Sequence, residues 1–471
     1  EKKHNPALLP QPIQRLLKRY KINPDNLSVY VKEIYATEPL ISHHIDRPRN
    51  PASTMKLVTT YAALRALGPA YQWQTEAWRR GTIRDGVLDG DLILKGYGDP
   101  FLVHERYWKF IHDLKSKGLH TINGDIVIDN SYFDVPPIDP AAFDNAPHRI
   151  YNALPSALMF NFQATRFLFQ TKTLHAKLST EANKQQKLKT VVDLTAFPHI
   201  PDLQLTNRLR LSKGACRKAH YRPTFKRLAD KHLQVSGSYS TRCGQQFILR
   251  QISPPEEHAF NAFVDFWRDL GGTFKGRLQL GVVDRKTDRL FHQYASPSLG
   301  EQIRLINKWS NNVMTRQLLL SLGANYYDAP ATLEKGRSAI LEVLDEIAVP
   351  NVEDIVIDNG SGLSRKARIS AAQLGHLLDR AFRDAYMPEF LASLAIGGID
   401  GTMYRRAKKN GMRGRSHLKT GTLRDVTAIA GYMLSRQGRY FIVVMQQNGN
   451  KVSKGRGVAV QNALLRWLFE Q

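Results

Sequence analysis

The chain has 471 residues, 42% of them hydrophobic, with a formal charge of +25 and a pI near 9.9. That length carries two to four domains with real cores, the composition is that of a globular protein rather than a disordered or fibrous one, and the densest apolar run, Phe441 to Met445, falls far short of the roughly 18 residues that cross a bilayer. The charge raises nucleic acid as a partner, but no zinc-finger, RNA-recognition or helix-turn-helix pattern is present and no aromatic platform recurs among the basic runs, so nucleic acid is not expected.

Alternating apolar residues from Leu27 to Tyr35 predict a strand. Pro51-Ala52-Ser53 then opens onto Met55-Lys56-Leu57-Val58-Thr59-Thr60-Tyr61-Ala62-Ala63-Leu64, a helical run with a small polar residue where an N-cap or first turn belongs. From Trp73 to about residue 164 short strands and turns predominate, with one helix near Val103 to Lys117. Residues 165–231 are polar and basic, and strands such as Leu188 to Leu194 mark a small β unit. Leu233 to Tyr239 reads as a strand returning the chain to the preceding domain, and after Pro254-Pro255 the amphipathic helix His258 to Trp267 is expected to rejoin the first domain. Helices alternate from there to the strands Val426–Leu434 and Tyr440–Gln446, and a helix over Val460–Phe469 closes the chain.

Three short signatures lie in a fixed order: Ser53-Thr54-Met55-Lys56, Ser310-Asn311-Asn312 and Lys419-Thr420-Gly421. Each is weak alone, since a Ser-x-x-Lys is commonly a solvated helix face, Asn311-Asn312 a loop or cap, and Lys-Thr-Gly a turn entering a strand. Their order and setting carry the weight. Positions i and i+3 share a helix face, so Lys56 is expected within reach of the Ser53 hydroxyl, and a lysine near other cations and away from water loses its proton near neutrality. Ser310 is positioned to pass a proton and Asn312 to hold a substrate amide. Gly421 leaves space for a substrate backbone beside its strand, while Lys419 and Thr420 grip a carboxylate. The pattern is that of serine acyl transfer with a lysine base, needing neither metal nor organic cofactor.

With these residues in place, the chain resembles the serine DD-peptidases of the penicillin-binding protein group. Lys95-Gly96-Tyr97-Gly98-Asp99-Pro100, Gly124 to Asp129, Asp358 to Arg365 and Gly398 to Thr402 narrow the likeness to the low-molecular-mass class C enzymes, the penicillin-binding protein 4 type of D-alanyl-D-alanine carboxypeptidase and endopeptidase. Ser53 and Ser310 lie 257 residues apart, far more than a compact fold of this group needs, which fits a large insertion. The resemblance implies an α/β (α+β) fold: a penicillin-binding transpeptidase domain over residues 1–72 and 256–471, an inserted, mainly β domain over 73–164 and 232–255, and a third domain over 165–231 nested inside it.

It also implies roles. Ser53 is the nucleophile and Lys56 its base; Ser310 with Lys419 relays a proton to the departing D-alanine, and Asn312 meets the substrate amide. Thr420, Gly421 and Thr422 line the carboxylate end, and backbone N–H groups of Ser53 and Thr422 form the oxyanion hole. Arg365 matches a position near the substrate groove, Arg424 stands where relatives often carry no charge, and Asp144, with Tyr151 nearby, is the candidate acid for a free amine on the third stem residue. Peptidoglycan stem peptides and β-lactams are the implied partners, in the periplasm, with the protein free or at a membrane surface. The opening Glu1-Lys2-Lys3-His4 holds no apolar signal region, which fits a processed N-terminus.

In an exported protein the two cysteines, Cys216 and Cys243, favour a disulfide over two buried thiols. Seven Lys or Arg with one Asp fall between Lys213 and Lys231, and six basic residues with no acid between Arg405 and Arg415. Either cluster suits an anionic wall polymer or lipid surface; the ordinary alternative is a solvated basic face, and the second cluster, running into Lys419, is the one expected to serve function. Two other readings compete with the DD-peptidase: a β-lactamase or esterase of the same fold, and a noncatalytic basic wall or nucleic-acid binder.

Overall fold

The computed structural model describes residues 8–176, 187–216, 223–229 and 231–471. Helix α1 (Gln11–Tyr20) turns two apolar residues, Ile13 and Leu17, inward and stops at Lys21 in the left-handed region. Strands β1 (Leu27–Glu33) and β2 (Ile41–His43) follow, then α2 (Met55–Leu67), in which every residue from Met55 to Leu64 is buried. A helix enclosed on all sides must bond its own polar groups. Thr60 Oγ1 donates to Lys56 O at 2.7 Å and Thr59 Oγ1 to Gly360 O at 2.7 Å.

The chain then leaves this unit through β3 (Gln74–Arg84), β4 (Val87–Gly96), α3 (His104–Ser116), β5 (Thr121–Ile122) and β6 (Ile126–Asp129). A smaller β unit comes next, with β7 (Thr165–Ala176), β8 (Lys187–Phe197), β9 (Gln204–Ser212), β10 (Thr224–Ala229), β11 (His232–Ser240) and β12 (Gln246–Arg250). It is built as two three-stranded sheets, ordered β10-β11-β9 and β12-β7-β8, around Phe167, Phe169, Val235 and Tyr239. Cys216 and Cys243 are joined by a disulfide there. Arg217, Lys218 and Arg222 of the first basic cluster, like Glu1 to His4, lie outside the described residues.

Helix α4 (Pro255–Asp269) and strands β13 (Thr273–Phe274), β14 (Leu278–Leu280) and β15 (Arg289–Ala295) complete the second unit. Its sheet runs β13-β5-β4-β3-β15, with β6 between β4 and β14. Two segments therefore sit elsewhere than the sequence suggests. Helix α4 does not rejoin the first domain at residue 256: Phe263 and Trp267 pack with Phe110 and Ile111 of α3, and β15 pairs with β3, so the second unit extends to Ala295. Strand β11 does not return to the second unit either, because it lies between β10 and β9, and β12 pairs with β7. The periodicity of a strand or helix fixes which face is buried, not which partner buries it.

The first unit resumes with α5 (Leu299–Trp309), α6 (Asn312–Tyr327), α7 (Leu333–Glu346), α8 (Ala371–Phe382), α9 (Met387–Ser393), β16 (Ala395–Ile396), β17 (Ser416–Leu423), β18 (Val426–Leu434), β19 (Tyr440–Asn448) and α10 (Arg456–Phe469). Its sheet is ordered β16-β17-β18-β19-β1-β2. Helices cover both faces, so β18 and β19 read as unbroken apolar runs, yet the period-2 rule still sorts their side chains. Ala430, Tyr432, Ile442 and Val444 join the core around α2 and α8, while Ile429, Met433, Val443 and Met445 join the core under α1 and α10. Among the described residues no helix is long and apolar enough to cross a membrane.

Phe263 is fully buried between α3 and the second unit's sheet. Phe263→Ala is expected to destabilise that unit by about 3–5 kcal/mol, read as a lower urea midpoint for its transition; an unchanged midpoint would place α4 elsewhere.

Candidate active site

Ser53 lies in a 3-10 turn, Ala52–Thr54, that feeds directly into α2. Asn50 Oδ1 accepts the Ala52 N–H at 2.9 Å, Thr54 Oγ1 donates to Pro51 O at 2.7 Å, and Asn50 Nδ2 donates to Ser364 O at 2.8 Å. Ala52 has φ +46°, in the left-handed region that costs a non-glycine residue about 1–2 kcal/mol. Two glycines close on this turn. A Cβ on Gly362 would lie 1.8 Å from Ala52 O, and one on Gly421 would lie 2.8 Å from Pro51 O and 2.9 Å from Ser53 N. Gly421 thus admits the protein's own nucleophile turn, where the sequence suggested a substrate backbone.

Lys56, one helical turn beyond Ser53, is fully buried. Its Nζ lies 3.2 Å from Ser53 Oγ, 2.5 Å from Asn312 Oδ1 and 2.6 Å from Ser361 O. Asn312 Oδ1 and Ser361 O can only accept, so a neutral amine gives them its two N–H bonds and is left with one lone pair for the Ser53 hydroxyl proton. Asn312 therefore does more than the sequence reading allowed: its oxygen orients the lysine, and only its Nδ2 is left to offer a substrate.

Lys419, also fully buried, donates to Ser310 Oγ at 2.9 Å and to Thr420 O at 2.7 Å. Ser310 terminates α5 in the left-handed region, with φ 59°, and Asn311 then caps α6, its Oδ1 accepting the Met314 N–H at 3.0 Å. The Ser-Asn-Asn signature is thus a corner between two helices, and the corner delivers Ser310 to β17 and Asn312 to α2.

Among the described residues no carboxylate pairs with Lys56 or Lys419. Burial, followed by repulsion from Lys419 and Arg316, holds the Lys56 ammonium well below the ordinary lysine range, and burial brings Lys419 down to about 7. Arg316 is a residue the sequence reading missed. It follows Asn312 by one turn of α6, donates to Ala153 O at 2.9 Å, and is itself lowered to about 10 by burial. The same reading missed the contribution of the Ser361 carbonyl and that of Thr402, whose Oγ1 lies 2.8 Å from Thr420 Oγ1. Spacing within the signatures gives no sign of these; Arg316 alone leaves a trace, as a cation at i+4 from Asn312.

The expected substrate residues lie along one side of the site. Arg365 donates to Arg424 O at 2.9 Å and stacks on Phe143 at 5.2 Å, and it lines a cavity of about 400 Å³ with Phe143, Asn152, Arg316 and Asp358. Asp144 follows Phe143 in the chain. Its Oδ2 accepts the Tyr151 hydroxyl at 2.6 Å and its Oδ1 the Asn152 amide at 2.8 Å. Partial burial pushes the carboxyl up, but these donors together hold it below the usual aspartate range. Thr422 and Arg424 are exposed. In the second basic cluster Arg406 turns inward to Asn462 Oδ1 at 2.9 Å and Gln461 Oε1 at 3.1 Å, so it is part of the framework, while Arg405, Lys408, Lys409 and Arg413 are exposed. Among the described residues no group of three or more His, Cys, Asp or Glu converges as metal ligands.

The chain is 28% identical over 455 residues to the D-alanyl-D-alanine carboxypeptidase of Actinomadura sp. strain R39, covering 94% of this chain and 81% of that one. It is 26% identical over 421 residues to D-alanyl-D-alanine carboxypeptidase DacB of Haemophilus influenzae, covering 84% and 80%. The crystal structure of penicillin binding protein 4 (dacB) from Haemophilus influenzae superposes with a TM-score of 0.77 at 22% identity, over 98% of this chain and 99% of that one, so the two share a fold. The D-Ala-D-Ala carboxypeptidase 3 (S13) family profile matches residues 9–471, and this chain belongs to that family of serine peptidases.

Proposed function

We propose that this chain removes the terminal D-alanine from peptidoglycan stem peptides through a Ser53 ester, cleaves D-alanyl crosslinks by the same chemistry, and is acylated by β-lactams. The observation that carries the proposal is the buried Lys56 amine, 3.2 Å from Ser53 Oγ with its other hydrogen-bonding directions taken by acceptors. Lys56 takes the Ser53 proton as Oγ attacks the carbonyl of the penultimate D-alanine. The negative oxygen that forms is received by the N–H groups of Ser53 and Thr422, each worth ~3–4 kcal/mol where such donors have been removed in other serine enzymes. The amide C–N bond breaks, Ser310 passes its proton to the departing amine, and Lys419 replenishes Ser310 across 2.9 Å. Water then attacks the ester: one of its protons restores Lys419, Lys56 returns its proton to Ser53 Oγ, and the acyl peptide leaves as a carboxylate, its acidic proton passing to the released amine.

Lys419, Thr420 and Thr422 hold the terminal carboxylate, and Asn312 Nδ2 the substrate amide. Gly421 contributes by letting β17 lie against the Ser53 turn. On the acyl side, Arg365 and Arg424 face acidic stem groups, and Asp144, kept ionised by Tyr151 and Asn152, suits the ammonium of a diamino third residue. The work is done in the periplasm on an anionic polymer, where the exposed cations of the Arg405–Arg415 run add steering.

Mass spectrometry is expected to find one penicillin adduct per wild-type chain and none in Ser53→Ala; no adduct in the wild type would overturn the proposal. Lys56→Arg keeps the charge but cannot release it at neutral pH, so its acylation rate should fall at least about 100-fold. Acylation requires neutral Lys56, so its rate should fall as pH drops through the depressed lysine range. Arg316→Met removes a repelling cation, raises the Lys56 pKa, and should move that acid limb upward by about 0.5–1 pH unit. An acid limb unmoved by Arg316→Met would show that burial alone sets the base.

A further inference from the structure

Trp309, the residue immediately before Ser310, is 65% exposed, and it stands beside a loop carrying two more exposed hydrophobics, Tyr404 at 54% and Ile399 at 43%. Nothing in the chemistry described above uses them. The loop is held firmly against the end of α5. Lys308 is buried and donates to Leu394 O at 2.8 Å and Asp400 Oδ2 at 2.6 Å, and Asp400 Oδ1 accepts the Ile396 N–H at 2.7 Å. Gly401, at φ +52°, brings the loop so close that a Cβ there would lie 2.5 Å from Lys308 O. One residue further, Thr402 meets Thr420 on β17. The aromatic rim is thus anchored to both halves of the Ser310 and Lys419 proton relay.

Direction along β17 decides what the rim faces. Arg424, just past the far end of the strand, accepts through its backbone oxygen from Arg365, which lines the cavity beside Phe143, the acyl side. In that reading Thr420 and Ser310 face the leaving group; exposed Trp309 immediately precedes Ser310, and exposed Tyr404 lies two residues beyond Thr402, which meets Thr420. A departing D-alanine is too small to reach beyond its carboxylate clamp, whereas the leaving group of a crosslink is a whole second stem peptide. Such a peptide is acidic, and the rim is cationic: Lys408 lies over the Tyr404 ring at 4.2 Å, Arg405 and Arg413 are exposed beside it, and among the described residues no carboxylate pairs with any of them. Large aromatic side chains next to unpaired cations, on a braced loop, match an acidic peptide with apolar methyl groups.

We infer that Trp309 and Tyr404, with Arg405 and Lys408, form a leaving-group subsite for the second stem peptide of a crosslink, so that this rim sets the preference for crosslink cleavage over terminal trimming. The inference rests on the DD-peptidase reading. The chemistry is unchanged: the Ser53 ester forms, the amide C–N bond to the second stem breaks, and the proton from Ser310 goes to the released amine of that stem.

The test compares wild type, Trp309→Ala, Trp309→Phe and the charge reversal Arg405→Glu with Lys408→Glu, on a sugar-free crosslinked peptide dimer, the same dimer carrying its sugars, a pentapeptide monomer, and penicillin. Trp309→Ala and the charge reversal should each lower kcat/KM about tenfold or more on both dimers, chiefly through KM, as loss of a binding anchor does. Monomer cleavage and penicillin acylation should stay within about twofold of wild type in Trp309→Ala, as expected when the shared acylation steps are untouched; the charge reversal, which also weakens steering, should lower them less than it lowers dimer cleavage, and Trp309→Phe should recover part of the dimer activity. Equal losses on all four substrates, or none on the dimers, would overturn the subsite. A loss confined to the sugar-bearing dimer would overturn it in favour of a glycan contact. Absence of penicillin acylation in the wild type would instead remove the DD-peptidase reading on which the subsite rests.

Discussion

Two lysine amines, Lys56 and Lys419, are fully buried, among the described residues no carboxylate balances them, and the site depends on that imbalance. An ammonium moved from water into a low-dielectric interior without a counterion is strongly disfavoured, and the group escapes by releasing its proton. Lys56 is surrounded so that release is also geometrically useful. Its acceptors, Asn312 Oδ1 and Ser361 O, can hold a neutral amine but can neutralise no charge, and the remaining neighbour is the Ser53 hydroxyl. Had an aspartate stood at Asn312, the same contact would have raised the lysine pKa and removed the base.

Much of the surrounding architecture serves to keep that arrangement closed. The Ser53 turn is pinned from two sides by backbone that only glycine permits at Gly362 and Gly421. The corner at Ser310 places one signature residue on each lysine, since the left-handed residue ends α5 and Asn311 starts α6. Arg316, one turn of α6 beyond Asn312 and bonded to Ala153 O, adds a second repelling cation. The inserted segment supplies the outer wall, with Phe143 brought against Arg365.

The three signatures were legible because short-range rules govern them: Ser53 and Lys56 share a helix face at i and i+3, and the Lys-Thr-Gly stretch alternates as a strand. The core strands β18 and β19 were legible as apolar runs for the same reason. What the sequence could not reveal were pairings between distant segments. The amphipathic stripe of α4 is satisfied equally by either sheet, and β11 pairs with neighbours that its own alternation does not name. Gly421 suggests open space in the sequence because the residue whose backbone closes on it, Pro51, is far away along the chain. The bond from Lys56 to Asn312 Oδ1 spans 256 residues, so the sequence marks Asn312 only for the substrate amide and not as the partner that orients the lysine. Arg316 sits in a helix interior where nothing local marks a charge as functional.

The most direct test of the central claim is the protonation state of Lys56 itself. With lysines labelled at Cε, the carbon resonance lost in Lys56→Arg identifies Lys56, and its chemical shift is followed with pH in the wild-type protein. A neutral amine at pH 8, with its titration displaced far below that of free lysine, is the result expected from burial beside Arg316 and Lys419. A Lys56 resonance that remains that of an ammonium above pH 9 would contradict the account, because Ser53 would then have no base.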